Sequence, residues 1–198
     1  MADAVGKPRP SQRSALLWRA VLILVTVGTQ LPFDRLIEIV DEAAPGIGQP
    51  ILAQTGRGQY VPRNIEWRQM IDPVEFSDIL ARVSLIVAHA GIGTLLMAQK
   101  HQKPIIVFPR RASLGEHRNE HQLATVKALE TRQGIYVAWT AEDVVRLLGQ
   151  TLVPPLPSST DYGKVQLLDK ISSFIGGKSK KRESSHHRPG LAGSGEHR

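Results

Sequence analysis

The chain has 198 residues, of which 41% are hydrophobic, enough for one buried domain with terminal extensions. It contains no cysteine, which excludes a disulfide framework and cysteine-based zinc or redox chemistry and fits a reducing cytoplasm. The net charge of +7 comes from the ends, because residues 21–176 hold 15 basic and 15 acidic side chains. A neutral central domain gives no reason to expect nucleic-acid binding.

Both terminal segments are predicted to be disordered extensions. Residues 177–198 form a basic tail rich in glycine, serine and charge that offers almost nothing to bury. Residues 1–20 end in an apolar run that imitates a signal peptide, but Arg19 interrupts the run and Ala20–Val27 is too short to cross a bilayer. The sequence therefore predicts one domain over residues 21–176 and no transmembrane helix.

Apolar strands alternate with amphipathic helices along this domain. The predicted strands are VLILVTVGT from Val21, PILAQTG from Pro50, IEWRQMI from Ile65, SLIVAHA from Ser84, KPIIVFP from Lys103 and GIYVAWT from Gly134. The predicted helices are PFDRLIEIVDEAA from Pro32, PVEFSDILARV from Pro73, TLLMAQKH from Thr94, EHRNEHQLATVKALETR from Glu116, AEDVVRLLG from Ala141 and a last one over 164–175. This order predicts an α/β, Rossmann-like fold, a mostly parallel sheet with helices on both faces.

Two of the helices begin with recognisable signals. Pro73 suits the first turn of its helix, where the missing N–H costs no hydrogen bond. Thr140 followed by Asp143 predicts a capping box at the start of the helix from Ala141.

Unusual residues cluster where the predicted strands end. They are Gly28-Thr29, Gly56–Gly58, His89–Thr94 and Pro109–Gln122. In parallel α/β sheets, ligands bind at the carboxyl ends of the strands. We therefore expect the functional site at this edge of the sheet.

The turn AHAGIGT, from Ala88 to Thr94, predicts an anion site. Gly91 and Gly93 would let the backbone approach a phosphate, the helix start adds partial positive charge, and His89 and Thr94 add side-chain donors. A purely structural explanation stays open, in which the glycines form a tight turn and the threonine caps the helix. The motif is neither a Walker loop, since no Gly-Lys-Ser/Thr follows, nor a dinucleotide fingerprint, since the third glycine is missing.

Four segments, in register, resemble the donor-binding C-terminal half of two-domain nucleotide-sugar glycosyltransferases. They are VTVGTQLPFDRLI, AHAGIGT, KPIIVFPR and EHRNEHQLATVKAL, and the resemblance covers about residues 21–150. It is closest to free-standing members of family 28, the PssE-type subunit of exopolysaccharide glucuronosyltransferases and the catalytic subunit of the two-part UDP-GlcNAc transferase. The resemblance implies half of a GT-B fold and a UDP-sugar donor, with no metal and no cofactor.

The resemblance also implies roles for particular residues. The donor diphosphate would bind at His89, Gly91, Gly93 and Thr94. Sugar hydroxyls would bind at His121 and Gln122, with Glu116 and Asn119 nearby, unless these residues form an exposed helical turn. Gly28 and Thr29 would border the cleft.

An acidic donor sugar would need a partner for its carboxylate. Arg110 and Arg111 directly follow a predicted strand, and a guanidinium binds a carboxylate bidentately. The alternative is that both arginines are solvated or contact another protein.

The sequence departs from the family pattern at two positions. Met97 stands where many relatives place a ribose-binding glutamate, and Gln102 stands where they usually have glycine. Ribose recognition must therefore differ, or the nucleotide binds less tightly. We expect the Met97 side chain to belong to the core.

About 155 residues leave no room for an acceptor-binding half, which commonly supplies the catalytic base. The resemblance implies a membrane-associated acceptor-binding partner subunit with a lipid-linked saccharide acceptor, in exopolysaccharide or capsule biosynthesis. The chain would be cytoplasmic, recruited to the inner face of the membrane. Two other hypotheses stay open: a non-catalytic regulatory partner, which Met97 supports, and another nucleotide-sugar enzyme such as an epimerase, which the short length disfavours.

Overall fold

A computed structural model of the chain describes residues 22–118, 126, 127 and 129–157. Within these residues, six strands form one sheet in the order β3-β2-β1-β4-β5-β6. They are β1 Leu22–Thr26, β2 Ile51–Gln54, β3 Glu66–Arg68, β4 Val83–Ala88, β5 Ile105–Val107 and β6 Ile135–Val137. All five pairings are parallel, which confirms the predicted sheet.

The helices in the described part of the chain are α1 Asp34–Ala43, α2 Pro73–Arg82, α3 Ile92–Lys100 and α4 Ala141–Leu148, with short 3-10 turns at Ala44–Gly46 and Ala112–Leu114. Val126, Lys127 and Leu129 are also helical, whereas residues 116–118 form a bend, so the helix predicted from Glu116 begins later. The helix predicted over 164–175 and both terminal extensions lie outside the described residues. No described helix has the length and apolar character needed to cross a membrane.

Helices cover both faces of the sheet, as predicted, because each face buries its own apolar cluster. On one face, α1 and α4 pack over β1 and β5 through Phe33, Leu36, Val40, Val144 and Leu147. On the other face, α2 and α3 pack through Leu80 and Leu95, together with Val126 and Leu129. The central strands β1 and β4 lie between these two layers and are buried along nearly their whole length.

Local signals fix where the helices start. The Thr140 hydroxyl accepts from the Asp143 N–H and the Asp143 carboxylate reaches back to the cap, so the predicted capping box is present. Pro73 opens α2, and Asp72 caps it by accepting from the Val74 N–H. Helix α3 begins at Ile92, two residues earlier than predicted, which places Gly93 inside its first turn.

Candidate functional site

The loops after β1 and β4 meet at the carboxyl edge of the sheet, where these two strands are neighbours. The imidazole of His89 packs against two glycines there. A Cβ on Gly28 would lie 2.9 Å from the ring Cε1, and a Cβ on Gly91 would lie 2.5 Å from Nε2. Gly28 also has a φ of +77°, which side chains disfavour. Both positions therefore need glycine so that the histidine ring fits between them.

The His89 imidazole is electrically neutral at physiological pH. Burial lowers its pKa to about 4, and the positive charge of Arg110 and the nearby His117 act in the same direction. The Thr26 carbonyl opposes this shift, although Nδ1 is buried and makes no hydrogen bond of normal geometry within the described part of the chain. His89 therefore lies at this edge as a neutral imidazole, not as a cation.

The start of α3 presents backbone donors that have no hydrogen-bond partner among the described residues. Its N-cap is Gly91, no side chain of the described residues caps it, and its first hydrogen bond runs from the Leu95 N–H to the Gly91 carbonyl at 3.1 Å. The N–H groups of Ile92, Gly93 and Thr94 precede that bond. Thr94 lies inside the first turn, so it is not the cap that the structural explanation of this motif required.

Gly93 is the open glycine of the motif. It is exposed, and a Cβ built on it would have no heavy atom within 4 Å. An anion can therefore come close to the helix start at this residue, where the partial positive charge of the helix is concentrated.

The structure corrects the role predicted for Arg110. Its side chain is 2% exposed, and its two terminal nitrogens donate to the carbonyls of Val27, Leu31, Pro32 and Glu116. The guanidinium also lies over the Phe33 ring at 4.7 Å. Four of its five N–H donors are thus used by the backbone, so Arg110 does not present a bidentate face to a sugar carboxylate.

Glu116 is similarly engaged by the protein itself. Its carboxylate forms a bidentate pair with Arg35, at 2.6 and 2.7 Å, and accepts from the Arg111 N–H at 2.8 Å. Arg35 in turn lies 4.2 Å over the Phe108 ring. Glu116 therefore joins the loop after β5 to the start of α1, and its predicted place near the sugar hydroxyls stays a prediction.

The remaining predicted residues are placed as follows. Arg111 is exposed, and its guanidinium donates to the Trp139 carbonyl at 2.8 Å. Thr29 is exposed beside Gly28 in the loop after β1, and the prediction that both border a cleft stays a prediction. Met97 packs against the core, as expected. Asn119, His121 and Gln122 lie outside the described residues, so their roles stay predictions.

Sequence reasoning missed two participants at this edge. His117 acts on the His89 pKa, and Arg35 neutralises Glu116 from 81 residues away in the chain. Neither residue has a local sequence signal, because each role depends on loops that meet only in the folded chain. The contact between Gly56 and Gly28 is of the same kind: a Cβ on Gly56 would lie 2.7 Å from the Gly28 carbonyl oxygen.

A parallel sheet with an open, glycine-lined helix start at its carboxyl edge defines an α/β domain suited to binding phosphate groups. Residues 22–153 match the model of the glycosyltransferase family 28 C-terminal domain. The chain belongs to this family and is a glycosyltransferase.

Known proteins agree with this assignment. The chain is 25% identical over 178 residues to the UDP-N-acetylglucosamine transferase subunit ALG13 of Yarrowia lipolytica (strain CLIB 122 / E 150), covering 80% of this chain and 88% of that protein. Its fold is similar to the NMR structure of ALG13, with 20% identity, a TM-score of 0.53 and coverage of 76% and 96%. It is also similar to Os79 from O. sativa in complex with UDP, with 14% identity, a TM-score of 0.51 and coverage of 84% and 38%.

The two structural neighbours differ in length. The chain spans nearly all of ALG13 but less than half of Os79. At these identities the likeness shows the fold alone, and it confirms the Rossmann-like fold of a GT-B glycosyltransferase half.

Proposed function

We propose that this chain is the UDP-sugar-binding subunit of a two-component glycosyltransferase that transfers a hexosyl residue to a lipid-linked acceptor. The observation that carries the proposal is the uncapped start of α3, with Gly93 open to an incoming anion. Membership of family 28 supports a nucleotide-sugar ligand for that surface. The relative named as a UDP-N-acetylglucosamine transferase subunit supports uridine as the nucleoside of the donor.

The donor diphosphate would bind through backbone groups. The N–H groups of Ile92, Gly93 and Thr94 would donate to phosphate oxygens, and each such charge-assisted bond contributes about 1.5–3 kcal/mol. The helix start would also stabilise the negative charge that builds up on UDP as it leaves. The neutral His89 ring would lie beside the bound diphosphate. This arrangement would stabilise the leaving group through backbone donors and the helix dipole, and the proposal includes no metal ion or cofactor.

The catalytic base is proposed to come from the partner subunit. In the described part of the chain, His89 is the histidine packed beside the open helix start, and it is held among the phosphate-binding groups. It therefore lies on the leaving-group side of the reaction, whereas a base must face the attacking acceptor hydroxyl.

The partner would be a membrane-associated acceptor-binding subunit, in exopolysaccharide or capsule biosynthesis at the cytoplasmic face of the membrane. Large apolar side chains are exposed near the carboxyl edge: Met70 after β3 at 56%, Val74 in the first turn of α2 at 74% and Leu114 in the 3-10 turn after β5 at 56%. Exposed apolar groups beside a binding edge fit a surface that another protein covers.

The donor sugar is proposed to be glucuronosyl or N-acetylglucosaminyl. The donors of Arg110 are bonded to backbone carbonyls. A carboxylate on the sugar would therefore bind to Arg111, which is exposed and whose guanidinium donates to the Trp139 carbonyl. A donor competition in the complex with the partner tests this point. Preference for UDP-glucuronate that is lost in Arg111→Gln supports an acidic donor, and preference for UDP-GlcNAc contradicts it.

A UDP titration followed by amide NMR tests the binding proposal itself. We expect the amide resonances of residues 92–94 to shift, since their N–H groups gain phosphate partners. The amides of Gln49 and Gln150, which line the amino edge of the sheet, provide the internal control and should not move. No change at residues 92–94 at saturating UDP would contradict the proposal.

A second candidate is a regulatory partner that keeps the fold without binding a donor. Met97 favours it, because its thioether packs against the core at the position where many relatives have a ribose-binding glutamate. The same titration separates the two candidates: a regulatory partner would show no UDP-dependent shift.

A further inference from the structure

Arg110 is a buried cation that the donor-binding proposal leaves without a role. It is 2% exposed, and the carbonyls of Val27, Leu31, Pro32 and Glu116 accept its hydrogen bonds. A buried charge costs several kcal/mol unless polar partners surround it. Bonds to four carbonyls offset that cost, but a packed apolar side chain would avoid it altogether. The charge and its fork of donors therefore require an explanation beyond packing.

The four carbonyls come from two loops at the binding edge. Three of them lie in the loop after β1, on both sides of Gly28 and Thr29, and the fourth lies in the loop after β5. Arg110 thus ties the two loops together and limits the movement of Gly28. Gly28 in turn touches the His89 ring, since a Cβ at that residue would lie 2.9 Å from Cε1.

We propose that Arg110 is a positioning residue of the donor site. It fixes the loop after β1 so that Gly28 holds the His89 imidazole in place, and it sets a buried positive charge beside that ring. This inference rests on the proposed function, because His89 matters here as a neighbour of the diphosphate site.

The charge has a separate consequence for the proton on His89. The groups that act on the ring are Arg110 and His117 from the loop after β5 and the Thr26 carbonyl from β1. Burial lowers the His89 pKa most, and Arg110 lowers it further. A neutral His89 carries one N–H and one unprotonated ring nitrogen at any pH between about 5 and 8.

The test compares three variants by two measurements. Arg110→Met removes both the charge and the donors, whereas Arg110→Lys keeps the charge but has three donors for four carbonyls. Arg68→Met is the matched control, because it removes the same charge from the end of another strand at this edge, β3. The measurements are the UDP affinity by calorimetry at pH 7.5 and the His89 titration by NMR, with the resonance assigned from His89→Gln.

We expect Arg110→Met to weaken UDP binding about tenfold or more, and to raise the His89 titration midpoint above its wild-type value of about 4. Arg110→Lys should keep the low midpoint and lose only part of the affinity. Arg68→Met should change neither quantity. A folded Arg110→Met protein with wild-type affinity and midpoint would overturn the inference.

Two outcomes separate this inference from the proposed function. If the wild-type protein binds UDP and both Arg110 variants bind it equally well, the inference is wrong and the proposed function stands. If the wild-type protein does not bind UDP, the proposed function is wrong, and so is the inference that rests on it. If Arg110→Met does not fold, the Arg110→Lys variant serves as the test. Unchanged UDP affinity in Arg110→Lys would overturn the inference, and so would a His89 titration midpoint near 6.5 in the wild-type protein.

Discussion

The ring of His89 lies so close to Gly91 that a Cβ on the glycine would come 2.5 Å from Nε2. The two glycines of the turn therefore have different tasks. Gly91 gives the histidine room, whereas Gly93 leaves the start of α3 open. A substitution at Gly91 acts on His89 first, and on a bound phosphate only through that ring.

This difference predicts that alanine changes the His89 pKa at Gly91 but not at Gly93. Gly91→Ala should push the His89 ring toward solvent, so that its pKa rises from about 4 toward its ordinary value of 6.5. Gly93→Ala adds a Cβ in open space and should leave the His89 titration unchanged. NMR titration of both variants measures this. An unchanged His89 midpoint in Gly91→Ala would show that the packing is not as described.

His89 also predicts how stability depends on pH. Its folded pKa, about 4, lies below its ordinary value of 6.5, so the unfolded chain takes up a proton first as the pH falls. The contribution of His89 to the free energy of unfolding is therefore fully present above about pH 6.5. It is lost as the pH falls toward 4, by about 3 kcal/mol in total.

Urea unfolding at pH 7.5, 6 and 5 measures this slope, and His89→Gln should remove most of it. Burial also lowers the pKa of His101. The His89→Gln variant should therefore keep a smaller pH dependence of stability in the same range. Parallel pH profiles for wild type and His89→Gln would contradict a buried, neutral His89.

Asp41 is predicted to be a main anchor of the segment between β2 and β3. Its buried carboxylate accepts from the Tyr60 hydroxyl and from the N–H groups of Arg63 and Asn64, at 2.7–3.1 Å. Burial alone would raise its pKa, but these hydrogen bonds lower it overall. In Asp41→Asn, the new side-chain NH₂ group would face the backbone N–H donors that now bind the carboxylate. This should lower the free energy of unfolding by about 2 kcal/mol or more.

Tyr60→Phe is the matched variant, since it removes one of these hydrogen bonds and should cost about 1 kcal/mol. Chemical denaturation at pH 7.5 compares the two variants. Equal losses in both would mean that the backbone donors of Arg63 and Asn64 contribute little.

Gln102 carries a backbone conformation suited to glycine. Its φ is +51°, in the left-handed region, which explains why relatives usually have glycine there. Gln102→Gly should relieve about 1 kcal/mol of strain, partly offset by the greater freedom of the unfolded chain, and should leave the melting temperature unchanged or higher. Gln102→Val should lower it clearly, because β-branched residues tolerate positive φ poorly. A melting temperature lowered more by Gly than by Val would refute this explanation.

The fold could be predicted from the sequence because its strands are continuous apolar runs and its helix starts carry local signals. Thr140 with Asp143, and Pro73, mark helix starts that appear within a residue of the predicted place. The sequence places the start of α3 at Thr94, after Gly93, because glycine has low helix propensity. The helix nevertheless begins two residues earlier, at Ile92.

The candidate site could be predicted only where it depends on one turn. The glycines of the His89 turn were found because a strand, two glycines and a helix follow each other in the chain. The partners of Arg110 and Glu116 could not be found, because Val27, Leu31 and Arg35 lie about 80 residues away in sequence. Strand neighbours β1, β4 and β5 bring these loops together, and no local pattern records that pairing.

The most direct test of the donor-binding account is UDP calorimetry on Gly93→Asp. A carboxylate in the first turn of α3 favours the helix, by about 0.3–1 kcal/mol, but repels a diphosphate at the same place. Gly48→Asp is the control, because Gly48 is equally open and lies before β2 at the opposite edge of the sheet. We predict that Gly93→Asp melts no lower than wild type and binds UDP at least about tenfold more weakly, while Gly48→Asp binds normally. Wild-type UDP affinity in Gly93→Asp would contradict the account.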